Sequence, residues 1–162
     1  MKFDELKYRF MTEALKEAAK AFEQNEVPVG AVIVSENKII GKGFNQVEKL
    51  KDATAHAEMI AITAAGNHIG DWRLKECEMY VTLEPCLMCT AAIISSRIKR
   101  IYFGCFDPKF GACGSVYNPA QEGKLNHKVK IYSGLLNHEC NLLLKEFFRI
   151  KRINKNTSNH EG

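Results

Sequence analysis

The most constraining feature of the sequence is a pair of metal-binding fragments that lie far apart along the chain. One alanine separates His56 from Glu58, and 26 residues lie between Glu58 and the segment Pro85-Cys86-Leu87-Met88-Cys89. One histidine and two cysteines provide three ligands, one fewer than the four that close a structural zinc site. The fold must therefore bring both fragments together around an ion that keeps one position open for water, as catalytic zinc sites do.

The length and composition limit the class of protein. A chain of 162 residues has the length of one ordinary domain, and 46% apolar with 26% charged residues is typical of a globular protein. We expect one domain over residues 1–153 and a disordered polar tail over residues 154–162. The sequence contains neither a run of about 20 apolar residues nor a signal peptide, so we expect a cytoplasmic protein without membrane contact. Four cysteines without metal spacing are expected to be reduced and buried: Cys77, Cys105, Cys113 and Cys140.

Hydrophobic periodicity predicts strands and helices that alternate along the chain. The predicted strands are residues 29–35, 38–45, 79–83, 100–104 and 128–132, and the predicted helices are residues 4–24, 55–65, 85–95 and 139–152. Asp52 and Thr54 are predicted to cap the second helix, which Gly66 and Asn67 are predicted to end. Pro85 is placed at the first positions of the third helix. This alternation predicts an α/β fold with a sheet layered between helices.

The two metal-binding fragments fall at predicted helix starts, so both helix N-termini can point at one spot. Cys86 and Cys89 are three residues apart on a helical turn, which places both sulfurs on the same side. The positive helix ends favour thiolates and a bound hydroxide. Zinc lowers the pKa of its water to about 7, and Glu58 is placed to move a proton from that water to a ring nitrogen. His-x-Glu followed by Pro-Cys-x-x-Cys is the signature of zinc nucleobase deaminases.

Each fragment alone has another interpretation. A single His-x-Glu carries no information, and a single Cys-x-x-Cys in a cytosolic chain is also found in structural zinc sites and redox pairs. The order and spacing of the two fragments together make the catalytic interpretation specific. The remaining histidines lack such partners and are expected to have surface or structural roles: His68, His127, His138 and His160.

The C-terminal part of the chain is basic. Residues 124–155 contain eight lysines and arginines against two glutamates, a local charge of +6, whereas the whole chain carries +4. Such a surface is typical of proteins that contact phosphates. A solvated helix face without a partner explains the same pattern, and the charges alone do not decide between the two.

The sequence resembles the bacterial tRNA-specific adenosine deaminases, which convert the wobble adenosine of an anticodon to inosine, over nearly its whole length. The segments that carry the resemblance include several outside the zinc motif: residues 26–34, 54–58, 81–89, 96–98, 103–104, 107–109, 114–115, 125–127 and 147–149. The resemblance implies a three-layer α/β/α cytidine deaminase-like fold with a five-stranded mixed sheet. It implies one zinc ion per subunit held by His56, Cys86 and Cys89, with Glu58 as the catalytic proton carrier.

The resemblance also implies roles in substrate binding. Asn45 would hydrogen-bond the flipped base, Val29 and the backbone of Ala57 would form pocket walls, and Asp107 would reach the ribose 2′-hydroxyl of the preceding nucleotide. Phe148, Arg149 and Arg152 would grip the anticodon loop. The implied partners are a tRNA anticodon stem-loop, from an arginine tRNA, and a second subunit in a homodimer. Two positions depart from the family pattern: Ala53 replaces a proline, and Lys151 stands where relatives often carry arginine.

Two other functions are compatible with parts of the sequence. A deaminase of a free base or nucleoside, such as guanine, cytosine or cytidine, would use the same zinc and the same Glu58. It would have no use for Asp107 or for the basic C-terminal helix. An RNA-binding or assembly module with a structural zinc ion would gain nothing from a free carboxylate beside the metal.

Overall fold

The computed structural model of the protein describes residues 2–159. Five strands form one sheet: β1 (Gly30–Ser35), β2 (Lys38–Phe44), β3 (Glu78–Leu83), β4 (Arg100–Cys105) and β5 (Lys130–Ser133). Five helices surround it: α1 (Glu5–Glu23), α2 (Val47–Leu50), α3 (Ala57–Ile69), α4 (Leu87–Ser95) and α5 (Asn137–Ser158). No helix in this part of the chain is both long enough and apolar enough to cross a membrane.

The sheet is mixed and has the strand order β2-β1-β3-β4-β5. Strand β1 pairs antiparallel with β2 and with β3, whereas β3, β4 and β5 run parallel. Because the last two connections join parallel strands, each must cross over the sheet. The expected α/β class, the five strands and the mixed pairing are confirmed.

The side chains of β1 alternate between two hydrophobic layers, as a strand buried on both faces requires. Ala31 and Ile33 pack with α3 and α4, and Val32 and Val34 pack with α1 and α5. The second layer contains a stack of tyrosine rings from neighbouring strands, Tyr80, Tyr102 and Tyr132, with centroids 4.7 and 4.9 Å apart. The result is three layers, with α3 and α4 on one face of the sheet and α1 and α5 on the other. The four cysteines without metal spacing are buried and free, as expected.

Helix α3 lies directly against β2 because glycine removes the side chain at the contact. A Cβ at Gly43 would lie 2.3 Å from the carbonyl oxygen of Ala57, the first residue of α3. Any larger residue would have to displace helix backbone, which is far more costly than moving a flexible side chain. The close contact fixes the start of α3 relative to the end of β2, and the candidate site lies between these two chain segments.

The ends of α3 differ from the prediction. The N-cap is His56 instead of Asp52 or Thr54, and the Asp52 side chain accepts hydrogen bonds from the backbone and hydroxyl of Thr54 in a local turn. The helix also continues through Gly66 and ends at Gly70, whose φ of 79° is left-handed. A glycine inside a helix costs only about 1 kcal/mol, whereas the left-handed position after a helix favours glycine strongly.

Helices α4 and α5 also have different ends from those predicted. Pro85 precedes the N-cap Cys86 instead of opening α4, because the Pro85 carbonyl accepts a hydrogen bond from Ala112 N at 2.8 Å and Cys86 forms a β-bridge with Gly111. Helix α5 continues past the predicted end at Arg152 as far as Ser158, so residues 154–158 are helical and not a frayed tail. Residues 160–162 of the predicted tail lie outside the described part of the chain. The short helix α2 was not predicted, and the other element ends agree within two residues.

Candidate metal centre

Three ligand atoms meet where α3 and α4 begin. The Nδ1 atom of His56 lies 3.6 Å from Cys86 Sγ and 3.5 Å from Cys89 Sγ, and all three ligand atoms lie within 4.8 Å of one another. Tetrahedral zinc with Zn–S of 2.3 Å and Zn–N near 2.0 Å separates a sulfur from a nitrogen by roughly 3.5 Å. The observed spacing and the donor types therefore fit zinc, as the sequence predicts.

Two of these ligands occupy helix N-cap positions. His56 is the N-cap residue of α3 and Cys86 is that of α4, yet neither side chain forms a capping hydrogen bond within residues 2–159. Both side chains point to the cluster instead, so the free N–H groups and the positive ends of two helices lie beside the ligands. This arrangement favours negative charge at the cluster.

The two cysteines share this negative charge unequally. A hydrogen bond from Cys89, and after it one from His56, lowers the pKa of Cys86 to about 4 against the opposing effect of burial. The same hydrogen bond and burial raise the pKa of Cys89. The hydrogen bond with Cys86 also raises the pKa of His56. The cluster thus keeps one thiolate, and a divalent ion that binds all three ligands displaces the remaining protons.

Glu58 lies in the first turn of α3, two residues after His56, and is only 4% exposed. Burial raises the pKa of its carboxyl group above the ordinary value. A carboxyl group with a raised pKa is suited to accept a proton and to donate it again near neutral pH. Glu58 lines the same cavity as His56 and Cys86, so its carboxylate can reach a molecule bound beside the ligands.

A cavity of about 530 Å³ opens beside the ligand cluster. Four residues predicted to bind substrate line it: Val29, Asn45, Ala57 and Asp107. Several further lining residues were not predicted: Asn25, Glu26, Val27, Val47, Glu48, Leu83, Glu84, Phe110, Phe147 and Lys151. The mostly apolar wall with a few polar groups is typical of a site for a small organic ligand.

The Asn45 side-chain amide is fixed by two hydrogen bonds and still has groups that can bond a ligand. Its Nδ2 donates to the carbonyl oxygen of Val27 at 3.2 Å, and its Oδ1 accepts from the backbone of Val47 at 3.3 Å. A primary amide has two N–H donors and two oxygen lone pairs. One donor and one lone pair therefore remain for a ligand.

Asp107 begins the turn that brings Phe110 to the cavity. Its Oδ1 accepts hydrogen bonds from the backbone N–H groups of Lys109, at 3.0 Å, and Phe110, at 3.2 Å. None of the described residues donates a hydrogen bond to its Oδ2. This oxygen is an available acceptor for a hydroxyl group at the rim of the cavity.

Two neighbouring faces of the C-terminal helix α5 lie at or near the cavity. Phe147 and Lys151 line the cavity, and Phe147 packs edge-on against Phe22 of α1 with ring centroids 5.8 Å apart. Phe148 and Arg152 lie one position further around the helix. They line a neighbouring surface groove of about 610 Å³, called here the basic groove, together with Lys109, Leu144, Lys145, Lys151 and Lys155.

Arg149 lines neither the cavity nor the basic groove. Its guanidinium forms two hydrogen bonds with Glu146, at 2.9 and 2.5 Å, one helical turn earlier. The structure therefore brings two of the three predicted α5 residues to the basic groove and directs the third elsewhere. His127 is bonded to the carbonyl oxygen of Ile98 at 2.7 Å, in agreement with a structural role, and His160 lies outside the described residues.

Two buried carboxylates beside the cavity were missed by the sequence analysis. Glu26 and Glu84 are each 2% exposed. Glu26 accepts hydrogen bonds from the backbone N–H groups of Glu48 and Lys49 in α2. Glu84 accepts from backbone N–H groups of the loop after β4. Periodicity gives no signal for them, because glutamate at the end of an apolar run is more often at the surface. The position of Glu84 between a buried strand and Pro85 was the one available indication.

The chain is similar in sequence to a family of zinc-binding proteins and to individual curated proteins. Residues 4–105 match the cytidine and deoxycytidylate deaminase zinc-binding region. The chain is 46% identical over 146 residues to the tRNA-specific adenosine deaminase of Bacillus subtilis (strain 168), covering 90% of this chain and 91% of that protein. It is 50% identical over 145 residues to the tRNA-specific adenosine deaminase of Aquifex aeolicus (strain VF5), covering 90% and 95%.

A solved structure is also similar over most of its length. It comes from biochemical and structural studies of A-to-I editing by tRNA:A34 deaminases at the wobble position of transfer RNA. The two chains superpose with a TM-score of 0.82 at 43% identity, over 84% of this chain and 99% of the other.

Proposed function

This chain belongs to the tRNA-specific adenosine deaminases, within the cytidine and deoxycytidylate deaminase family, and we propose that it hydrolyses the wobble adenosine of a tRNA anticodon to inosine and ammonia. One observation carries the proposal: three ligands with zinc spacing lie beside a buried carboxylate at one cavity. A structural zinc site has four protein ligands, and no fourth histidine, cysteine or acidic residue joins this cluster within residues 2–159.

His56, Cys86 and Cys89 would hold the zinc ion, which supplies an acidified water as the nucleophile when it is bound. Glu58 performs the proton transfers. Its carboxylate accepts the first proton of the water and passes it to the adenine ring, then accepts the proton of the hydroxyl group that has been added to the ring carbon and passes it to the departing amino group, which leaves as ammonia. Each transfer returns the carboxylate to the state that the next one needs, so one buried residue serves both steps.

The walls of the cavity would orient the base. Val29 and the backbone of Ala57 bound its faces, and the free donor and acceptor of Asn45 hydrogen-bond its edge. The Oδ2 atom of Asp107 is available to a ribose 2′-hydroxyl, the group by which a protein distinguishes RNA from DNA. An anticodon base is already in a loop, so flipping it costs less than the few kcal/mol that a duplex requires.

The basic groove would bind the phosphates of the anticodon loop, with Phe148 as a surface for stacking and Arg152 as a cation. Arg149 would join them by exchanging Glu146 for a phosphate. We further propose a homodimer as the active form and an arginine tRNA as the substrate. The resemblance in sequence supports both.

The proposed reaction is tested by incubating the zinc-loaded protein with an anticodon stem-loop that carries adenosine at the wobble position. Mass spectrometry of the digested RNA should detect inosine at that position, and a stem-loop with its only loop adenosine one position away should remain unchanged. Free adenosine, guanine, cytosine and cytidine are assayed in parallel. Turnover of a free base or nucleoside with the stem-loop untouched would establish the other deaminase activity instead.

The basic groove makes the affinity for RNA depend on salt. Lys145 and Lys155 are exposed and line the groove, so replacing both by alanine removes two candidate phosphate contacts. The slope of log Kd against log salt concentration should fall in magnitude by roughly 1.5. Fluorescence anisotropy with a labelled stem-loop over a salt series measures this slope.

Lys38→Ala combined with Lys75→Ala is the matched control, because it also removes two positive charges. Both lysines are exposed at the end of the sheet opposite the cavity, at the start of β2 and before the start of β3, so the slope should stay at the wild-type value. An equal decrease in both variants would mean that net charge, and not the groove, determines RNA binding.

A further inference from the structure

Glu84 is a buried carboxylate that belongs to neither the ligand cluster nor the proton-transfer step. It stands one residue before Pro85 and is 2% exposed. No lysine, arginine or histidine of residues 2–159 forms an ion pair with it. Burying an ionised carboxylate without a cation is costly unless hydrogen bonds satisfy its oxygens. All of the hydrogen bonds to its oxygens come from one segment, residues 106–117, called here the Asp107 loop.

Each carboxylate oxygen of Glu84 accepts two of these hydrogen bonds. Oε2 accepts from the backbone N–H groups of Cys113, at 3.0 Å, and Ser115, at 3.1 Å. Oε1 accepts from the backbone N–H of Asp107, at 3.2 Å, and from the Ser115 hydroxyl. The loop wraps so closely that a Cβ at Gly111 would lie 2.3 Å from the Glu84 carboxyl carbon.

The same loop is bonded directly to the chain segment that carries a metal ligand. Ala112 N donates to the Pro85 carbonyl at 2.8 Å, and Gly111 forms a β-bridge with Cys86. The backbone N–H of Glu84 in turn donates to the Cys105 carbonyl at 2.9 Å, at the end of β4. Glu84 therefore joins the start of the Asp107 loop, its far side and the Cys86 segment around one carboxylate.

We propose that Glu84 is a positioning residue that holds Asp107 at the cavity rim relative to the metal ligands. This inference rests on the proposed function, in which Asp107 contacts the RNA. Glu84 accepts a hydrogen bond from the backbone N–H of Asp107, and it is the side chain of Asp107 that contacts the substrate. Weakening this hydrogen bond should loosen substrate binding and leave the ligand cluster and Glu58 in place.

Glu84→Gln separates this role from general support of the loop. The position of Oε2 faces two N–H donors, so the glutamine carbonyl oxygen must occupy it. The amide NH₂ then takes the place of Oε1, where the Ser115 hydroxyl can turn to accept from it but the Asp107 N–H cannot. Of the contacts to the loop, only the one to Asp107 is lost.

The variant should raise KM for the stem-loop about tenfold, which corresponds to the loss of one hydrogen bond to a charged group. It should change kcat less than twofold and keep one zinc ion per chain. Glu78→Gln is the control, because Glu78 lies at the other end of β3 and bonds Arg100 and Tyr80. Its KM should equal that of the wild type.

A double-mutant cycle tests whether Glu84 acts through Asp107. In an Asp107→Ala background, Glu84→Gln should raise KM no further, because the positioned side chain is already gone. Equal effects of Glu84→Gln in both backgrounds would overturn the proposal, and so would zinc loss or a fall in kcat at unchanged KM. A wild-type protein that leaves the stem-loop unedited would overturn the proposed function, and this inference with it.

Discussion

Glu58→Ala is expected to abolish inosine formation while the protein keeps its zinc. General acid–base catalysis by one positioned group contributes typically 10²–10⁴-fold, and here the same carboxylate serves successive proton transfers. We expect the single-turnover rate on an anticodon stem-loop to fall by about 10⁴-fold or more. Metal analysis should still give one zinc ion per chain, because Glu58 is not among the three clustered ligands.

The other carboxylates at the cavity cannot replace Glu58. Glu84 uses both oxygens for the Asp107 loop, and Glu26 accepts from the backbone of Glu48 and Lys49 at 3.3 and 3.0 Å. Asp107 lies at the rim, where it accepts from its own turn. Glu48 also lines the cavity, but it is exposed in α2 and is not part of the ligand cluster, so none of these carboxylates is placed as Glu58 is to accept and return the proton.

Glu58→Gln removes the proton transfer without removing side-chain packing. Glutamine has nearly the same shape and removes the cost of a buried charge, so thermal stability should be equal to or above that of the wild type. The variant should bind the stem-loop with wild-type affinity in anisotropy measurements and remain inactive. Substantial editing by either variant would show that another group carries the proton.

Cys89→Ala is the second change with a large expected effect, because it removes zinc itself. Loss of groups that merely orient metal ligands costs 10–100-fold in affinity, and loss of a ligand costs more. Cys89 is fully buried, with its sulfur 3.5 Å from His56 Nδ1, so water does not simply take its place. We expect zinc content near zero after dialysis and no detectable editing.

Zinc removal should also destabilise the fold. An ion present at 1,000 times its Kd contributes about 4 kcal/mol of apparent stability, which corresponds to roughly 10 °C in Tm for a chain of this length. The effect should be marked here because His56 and Cys86 hold N-cap positions without capping either helix. Differential scanning calorimetry of the wild type with and without a chelator measures the shift, and added zinc should reverse it.

Cys77→Ala is the matched control for the loss of a buried thiol. Cys77 is fully buried in the layer that contains α3 and α4 but does not belong to the ligand cluster. The variant should retain zinc and editing, with a modest decrease in Tm from the small cavity it leaves. Equal zinc loss in both variants would mean that packing, and not coordination, explains the result for Cys89.

The ligand cluster could be predicted from the sequence because its chemistry is local. Cys86 and Cys89 are three positions apart, about one helical turn, and one residue separates His56 from Glu58, so each fragment specifies its own geometry. The alternation of strands and helices then supplied the fold class. The end of α3 was misplaced at Gly66, because a helix with tertiary contacts tolerates a glycine that would end an isolated one.

The residues on the substrate-binding side of the site were harder to predict from the sequence. Periodicity identifies α5 as a helix but does not determine its rotation about its axis, which depends on the contact between Phe147 and Phe22. That contact turns Lys151 toward the cavity and leaves Arg149 beside Glu146. The hydrogen bonds of Glu84 could not be predicted from the local sequence either. Their donors lie in a loop more than twenty residues away, which only folding brings next to Glu84.

Helix α5 has a packed part and a fully exposed part. Cys140 and Phe147 are buried, whereas every residue from Lys151 to Asn159 is exposed. Substitutions at exposed helical positions usually change stability by less than about 0.5 kcal/mol. The outer part of α5 is therefore free to diverge, so a lineage can retune which RNAs it edits by mutations there, without compensating changes in the interior that supports catalysis.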